Sequence, residues 1–160
     1  MSHERDPDIT VSVEVRRAAD VVWRAVADPR RLTSWSPEAH AIRGTDTPPG
    51  PMPVGARFSG SNRHGIFRWV TRCTVAESMP AEAFAFDVTY VGLKVSRWRY
   101  ALTPTDAGCR VDEQWWDDRN VVMRVIGTIG TGVAHRLPHN ESTMRATLDA
   151  MRHELESASH

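Results

Sequence analysis

From Ile9 to Arg16 apolar and polar residues alternate strictly, with Ile9, Val11, Val13 and Val15 on one face and Thr10, Ser12, Glu14 and Arg16 on the other. A period of two over eight residues predicts a half-buried strand. Asp20 is then placed to cap a helix over VVWRAVAD, in which Val22, Trp23 and Val26 share a face. Pro29 ends that helix, and a short second turn carrying Leu32 and Trp35 is expected before Pro37. Residues 44–55 hold four of the ten prolines and three glycines. That composition excludes a central strand and predicts a loop, a candidate rim or lid.

Five further strand patterns follow, over roughly 55–61, 65–77, 82–91, 94–104 and 108–117, with turn signals at Asn62–Gly65, Pro80 and Asp106–Gly108. Connections this short make neighbours in sequence antiparallel neighbours in space. The alternation gives each strand an inward face: Trp69 with Cys73 and Val75, Phe84 with Phe86, Val88 and Tyr90, Trp98 with Tyr100 and Leu102, and Val111 with Glu113 and Trp115. Arg97 and Arg99 fall on the opposite face of their strand. The adjacent Trp115 and Trp116 require either one outward indole or a bulge.

The last segment changes period. From Pro138, which suits a first helical turn, Asn140, Met144, Leu148, Met151 and Leu155 recur at helical spacing and predict one long amphipathic helix. The preceding VVMRVIGTIGTGVAH reads as a helix that breaks or flexes near Gly127–Gly132. The order is strand, two short helices, a run of strands and a long helix. It predicts an α+β fold in which a curved antiparallel sheet of about seven strands wraps around the C-terminal helix. A single helix does not fill such a sheet, and the inward residues would line the remaining cavity. Residues 9–156 are expected to form one domain, with 1–8 and 157–160 as flexible tails.

Composition narrows the partners. The chain has 160 residues, 20 Lys+Arg and 20 Asp+Glu. A net charge of zero argues against nucleic-acid binding by bulk charge. No stretch approaches the roughly 18 apolar residues that would insert in a membrane. The polar Met1–Asp8 segment does not resemble a signal peptide, so a cytoplasmic location is expected. Cys73 and Cys109 form no metal or redox motif, and two strands should separate them, too far for a disulfide. Six of the twelve aromatic residues are Trp, and Lys94 is the only lysine. Imine chemistry would have to use Lys94, which starts a strand and is expected to face solvent.

The ordered set VSVEV, Ala19–Asp20–Val21–Val22–Trp23, Asp28–Pro29, Trp35–Ser36–Pro37, Trp69…Val75…Pro80…Phe84–Ala85–Phe86, Trp98–Arg99–Tyr100–Ala101–Leu102, Gly108…Val111…Glu113…Trp115 and His139–Asn140…Met144…Thr147–Leu148 resembles the START-related, birch-pollen-allergen-like (SRPBCC) superfamily. Within it the chain is similar to the bacterial polyketide cyclase/dehydrase and lipid-transport branch. The resemblance implies the helix-grip fold and a hydrophobic pocket between sheet and C-terminal helix. Members bind lipids, sterols, polyketides or hormones, and some catalyse aromatisation or cyclisation; the resemblance carries no catalytic set over to this chain.

The residues expected to line the pocket are Trp69, Phe86, Trp98, Tyr100, Glu113, Trp115, Asn140 and Met144. Glu113 carries the most chemistry. Desolvated beside indoles, with Tyr100 on the neighbouring strand, its carboxyl would be raised in pKa and would serve as an acid/base or as an anchor for a ligand hydroxyl. The competing account pairs it with an arginine at the pocket mouth. Asn140 either orients a ligand carbonyl or satisfies backbone groups at the helix start, the latter having the stronger general precedent. Trp23 and Trp35 are expected to pack the core. His135 and His139 have helical ligand spacing but no third ligand nearby, and His40 and His64 stand isolated, so no metal and no cofactor are expected. GTIGTG has the wrong glycine order for a dinucleotide loop. The function read from these residues is binding of an apolar, lipid-like or polycyclic small molecule; the alternative is a polyketide cyclase/dehydrase-type enzyme with Glu113 as acid/base. Nothing in the pattern fixes the oligomeric state.

Overall fold

The computed structural model describes residues 5–133 and 135–158. Strand β1 (Ile9–Val15) leads into α1 (Ala19–Val26), a single 3₁₀ turn (Pro29–Arg31) and α2 (Leu32–Trp35). Strands β2 (Ala39–Arg43), β3 (Arg57–His64), β4 (Phe67–Met79), β5 (Ala83–Tyr90), β6 (Leu93–Thr105) and β7 (Gly108–Asp117) follow, then α3 (Val121–Thr131) and α4 (Arg136–Ser157). The strands form one curved, open, antiparallel sheet in the order β1-β7-β6-β5-β4-β3-β2, gripping α4. Register shifts at Ala39/Ala41, Val75/Glu77 and Val88/Thr89 bend it.

The two periodicities place the core. β1 alternates buried and exposed residues without exception, and Asn140, Met144, Leu148, Met151 and Leu155 are all buried on α4. α4 packs along β1, and its C-terminal half meets α2 through Glu154. Trp23 and Trp35 are core residues that also tie elements together: the Trp23 indole donates to the Ala83 carbonyl at 2.9 Å, and the Trp35 indole donates to Glu154. Trp23→Phe should therefore cost about 1–3 kcal/mol in a urea titration, mostly from the Ala83 carbonyl left buried and unmet. Cys73 and Cys109 are free and buried, on β4 and β7 with two strands between them.

Several expectations are corrected. Ala18, not Asp20, is the N-cap of α1; Asp20 sits in the first turn, where its charge still suits the helix dipole. β2 is an additional strand that AHAIR, short and without clean alternation, did not announce. The β3–β4 hairpin is longer than expected, pairing through His64↔Phe67, so Asn62 and Arg63 are strand residues. The proline-rich segment is not a lid. Arg30 donates to the carbonyls of Thr47, Pro48 and Gly50, Asp28 accepts from the Gly50 N–H, and Met52 is fully buried between bonds to Ala27 and Ser78. The glycine-rich segment stays helical through Gly127 and Gly130 and ends only at Gly132, in the left-handed conformation. Residues 5–8, expected within a loose tail, are fixed to β7: Arg5 donates to the Asp117 carbonyl, the Trp116 indole donates to the Arg5 carbonyl, and the Asp117 N–H donates to Asp8. Residues 1–4, Ala134 and 159–160 lie outside the described residues.

Candidate ligand-binding site

A cavity of about 320 Å³ lies between the inner face of β3–β7 and the helices α3 and α4. All eight residues expected to line it are on its wall: Trp69 from β4, Phe86 from β5, Trp98 and Tyr100 from β6, Glu113 and Trp115 from β7, Asn140 and Met144 from α4. The pleat delivers the strand residues, since each alternates with an outward neighbour. Trp98 and Trp115 are directly paired across β6 and β7, their ring centroids 6.2 Å apart and tilted by 54°. Phe58 and Phe86 meet edge to face at 5.5 Å. The β6–β7 register is continuous through both adjacent tryptophans, so there is no bulge; Trp115 turns inward and Trp116 outward, where Arg5 covers it.

Glu113 is 1% exposed. Its neighbours across the sheet are Tyr100 on β6 and Val11 on β1. The Tyr100 hydroxyl donates to Oε1 at 3.0 Å. Among the described residues Oε2 meets no partner, and neither does the buried indole N–H of Trp115, two residues along the same face. The arginine pairing considered for Glu113 is absent among the described residues. The reason is the pleat: Arg97 and Arg99 occupy the other face of β6, where they bind Asp87 and Glu77. Burial pushes the Glu113 carboxyl up to about 8, only partly opposed by the Tyr100 hydrogen bond. Burial first, and then the neighbouring carboxylate, raises the Tyr100 phenol well above its usual value. Around Glu113 the wall thus offers an acid that is mostly protonated at neutral pH, a phenol and an indole N–H, while Asn62, Thr71, Arg119, Arg136 and Asn140 are among the polar residues elsewhere on it.

The wall also includes groups that local patterns did not mark. Phe58 comes from β3, where the alternation with Gly60 and Asn62 was the available signal. Cys73 lines the cavity, yet burial pushes its thiol up to about 12, far from nucleophilic. Arg136 lies 5.9 Å over the Trp69 ring and donates to Glu38 at 3.1 Å, Thr131 at 2.8 Å and Asn140 at 3.5 Å. The Asn140 side chain therefore meets Arg136 rather than the backbone groups at the start of α4. His64 is not isolated: its ring meets His139 edge to face at 4.8 Å, and His139 bonds Glu38 at 3.2 Å. Among the described residues no three His, Cys, Asp or Glu converge as a metal site. Gly127 and Gly130 present the α3 backbone to the cavity, and exposed Arg68, Tyr90 and Ile126 border its opening.

Residues 6–156 match the family described as polyketide cyclase/dehydrase and lipid transport. The chain belongs to that family. Among solved structures, the chain is similar to a Polyketide_cyc-like protein from Corynebacterium glutamicum, at 25% identity and a TM-score of 0.60, with 95% of each chain covered. It is similar in fold to a protein from Mesorhizobium loti, at 15% identity and a TM-score of 0.65 over 95% of this chain and 98% of that one. An AHSA1-like protein from Aeromonas hydrophila shares 15% identity at a TM-score of 0.63, over 94% of this chain and 92% of that one. No curated protein matches the chain.

Proposed function

We propose that residues 9–156 form a binding domain for an apolar small molecule, lipid-like or polycyclic, that carries one neutral polar group. The observation that carries this reading is the pair of buried polar atoms without a partner among the described residues, Glu113 Oε2 and Trp115 Nε1, on a cavity wall that also carries Trp69, Phe58, Phe86 and Trp98. Buried polar groups are nearly always met, and a ligand oxygen able to accept from the indole and exchange a hydrogen bond with a protonated carboxyl would meet both. A volume of about 320 Å³ is at the small end of the roughly 300–1,000 Å³ that ligand pockets span. Trp69, Phe86, Trp98 and Met144 would supply the apolar contact, and Asn140 with Arg136 a second polar point nearer the mouth.

Native mass spectrometry of freshly purified protein should find a co-purifying apolar molecule, and tryptophan emission should shift as an apolar dye is titrated in. Val88→Trp places an indole in the cavity and should weaken dye binding by about tenfold or more while the protein stays folded. Unchanged dye affinity in that variant, or no emission change in the wild type with any of several apolar ligands, would refute the cavity reading. A second reading follows from the raised Glu113 carboxyl, which suits proton transfer near neutral pH: the same cavity would fold a polyketide-like chain and assist its cyclisation or dehydration. Turnover of such a substrate, lost in Glu113→Gln with binding retained, would select it.

A further inference from the structure

Among the described residues thirteen large hydrophobic side chains stand exposed, and all but Val54 and Met79 lie at one end of the molecule. At that end the β3–β4 and β5–β6 hairpins turn, β7 finishes, α3 runs and α4 begins. Ile66 is 90% exposed at the first hairpin tip and Val91 82% at the second. Val121, Val125 and Ile129, spaced by one helical turn, form an outer stripe on α3. Scattered exposed aliphatics are ordinary, but this concentration is not. It surrounds the opening of the cavity, which Arg68, Tyr90 and Ile126 border.

The charges at this end are one-sided. From Arg119 to Asn140 the chain has three arginines and no Asp or Glu. Of the carboxylates nearby, Asp8, Glu38, Asp87, Asp117, Asp118 and Glu141 are each met by an arginine, and Asp6 is exposed on the β1 side of the sheet, away from Arg63 and Arg68 on β3 and β4. Arg63, Arg68 and Lys94 are exposed and make no ion pair among the described residues. Arg63 and Arg68 moreover stand directly opposite one another across the hairpin, a like-charge pairing that is unfavourable until an anion meets it. Aliphatic tips on three separate projections, ringed by unpaired cations, suit a soft anionic surface better than the flat, closely packed face that a protein partner requires.

We propose that this end docks on anionic lipid bilayers. Ile66, Val91 and the outer stripe of α3 enter the headgroup–acyl boundary, Arg63, Arg68 and Lys94 meet lipid phosphates, and the cavity opens toward lipid rather than water. Of the docking residues only Arg68, at the rim, also lines the cavity, and Val125 and Ile129 do not, so this proposal and the cavity reading stand or fall separately. Co-sedimentation of the full chain with vesicles tests it. Vesicles of phosphatidylcholine mixed with phosphatidylglycerol should bind the protein, vesicles of phosphatidylcholine alone should bind it weakly, and high salt should release it. Val125→Asp combined with Ile129→Asp should weaken partitioning by about tenfold or more, with circular dichroism, thermal midpoint and dye binding unchanged because both side chains are exposed and off the cavity wall. Lys94→Glu should reduce the preference for the anionic vesicles. Absence of binding to the mixed vesicles, or binding that the aspartate pair leaves intact, overturns the proposal. So does a wild-type dimer in sedimentation equilibrium that the aspartate pair converts to monomer, which would assign the patch to a second copy. Retained dye binding without vesicle binding would refute docking alone.

Discussion

The thermal stability of the wild-type protein will decline steadily as pH rises from about 5 to about 8, and Glu113→Gln will flatten that profile. An unfolded Glu titrates near about 4.3, whereas burial pushes the folded Glu113 carboxyl up to about 8. Between these values the folded chain holds a proton that the unfolded chain has released. Stability therefore falls with pH, by about 1.4 kcal/mol per pH unit where the difference is complete. It is fully present below the unfolded value and lost through the folded one, for a total of several kcal/mol, a large share of what a domain of this size possesses. Glutamine keeps the shape and an oxygen for Tyr100 but cannot ionise. At about pH 5 the two proteins should differ by only about 1 kcal/mol, since each buries one polar group without a partner. Near pH 9 the variant should be the more stable by several kcal/mol. Tyr100→Phe should displace the wild-type profile further upward in pH, because the Tyr100 hydroxyl is the one contact that favours the ionised carboxylate. Parallel profiles for wild type and Glu113→Gln in urea titrations across this range would show that Glu113 is not the buried acid described here.

That experiment bears directly on how the site was readable. Strand faces follow from alternation, and short turns force neighbouring strands to be antiparallel, so the pattern alone puts Trp98, Tyr100, Glu113 and Trp115 on one wall. The helical spacing of Asn140 and Met144 then put α4 opposite them. The partner of Glu113 was another matter. Tyr100 or an arginine were both available, and only the exact cross-strand register, Tyr100↔Glu113, decides it. Contacts made by side chains distant in sequence left no local trace either. Arg136 and Glu38 are separated by nearly a hundred residues, and neither sits in a pattern that points to the other. The proline-rich segment misled for a related reason. Its composition fixes that it is a loop, but whether it covers the cavity depends on Asp28, Arg30 and Met52 binding it to the other side of the fold.

The register that pairs Tyr100 with Glu113 is pinned at the β6–β7 turn, and Gly108→Ala should break it. A Cβ at Gly108 would lie 2.2 Å from the Val15 carbonyl oxygen, 2.7 Å from the Arg17 nitrogen and 2.9 Å from the Arg17 carbonyl oxygen. All three are backbone atoms at or just past the end of β1, so no rotamer change relieves the overlap. Relief requires the end of β1 and the start of β7 to separate, and Val15↔Cys109 is the last of their paired positions. The expected loss is about 4 kcal/mol or more in a urea titration, placing it among the exceptional single substitutions. Gly65→Ala provides the comparison. Gly65 also has a positive φ, at 57°, but its Cβ would meet nothing within 4 Å, so the loss there should be only the roughly 1–2 kcal/mol of a left-handed alanine. A slip by one residue would relieve the contact at Gly108 differently, by turning every β7 side chain to the opposite face and taking Glu113 and Trp115 out of the cavity. In that case the variant would remain folded yet lose both apolar-dye binding and the stability decline above pH 5. Equal losses at Gly108 and Gly65, with dye binding intact in both, would mean that the β1–β7 junction yields and does not fix the register of the site.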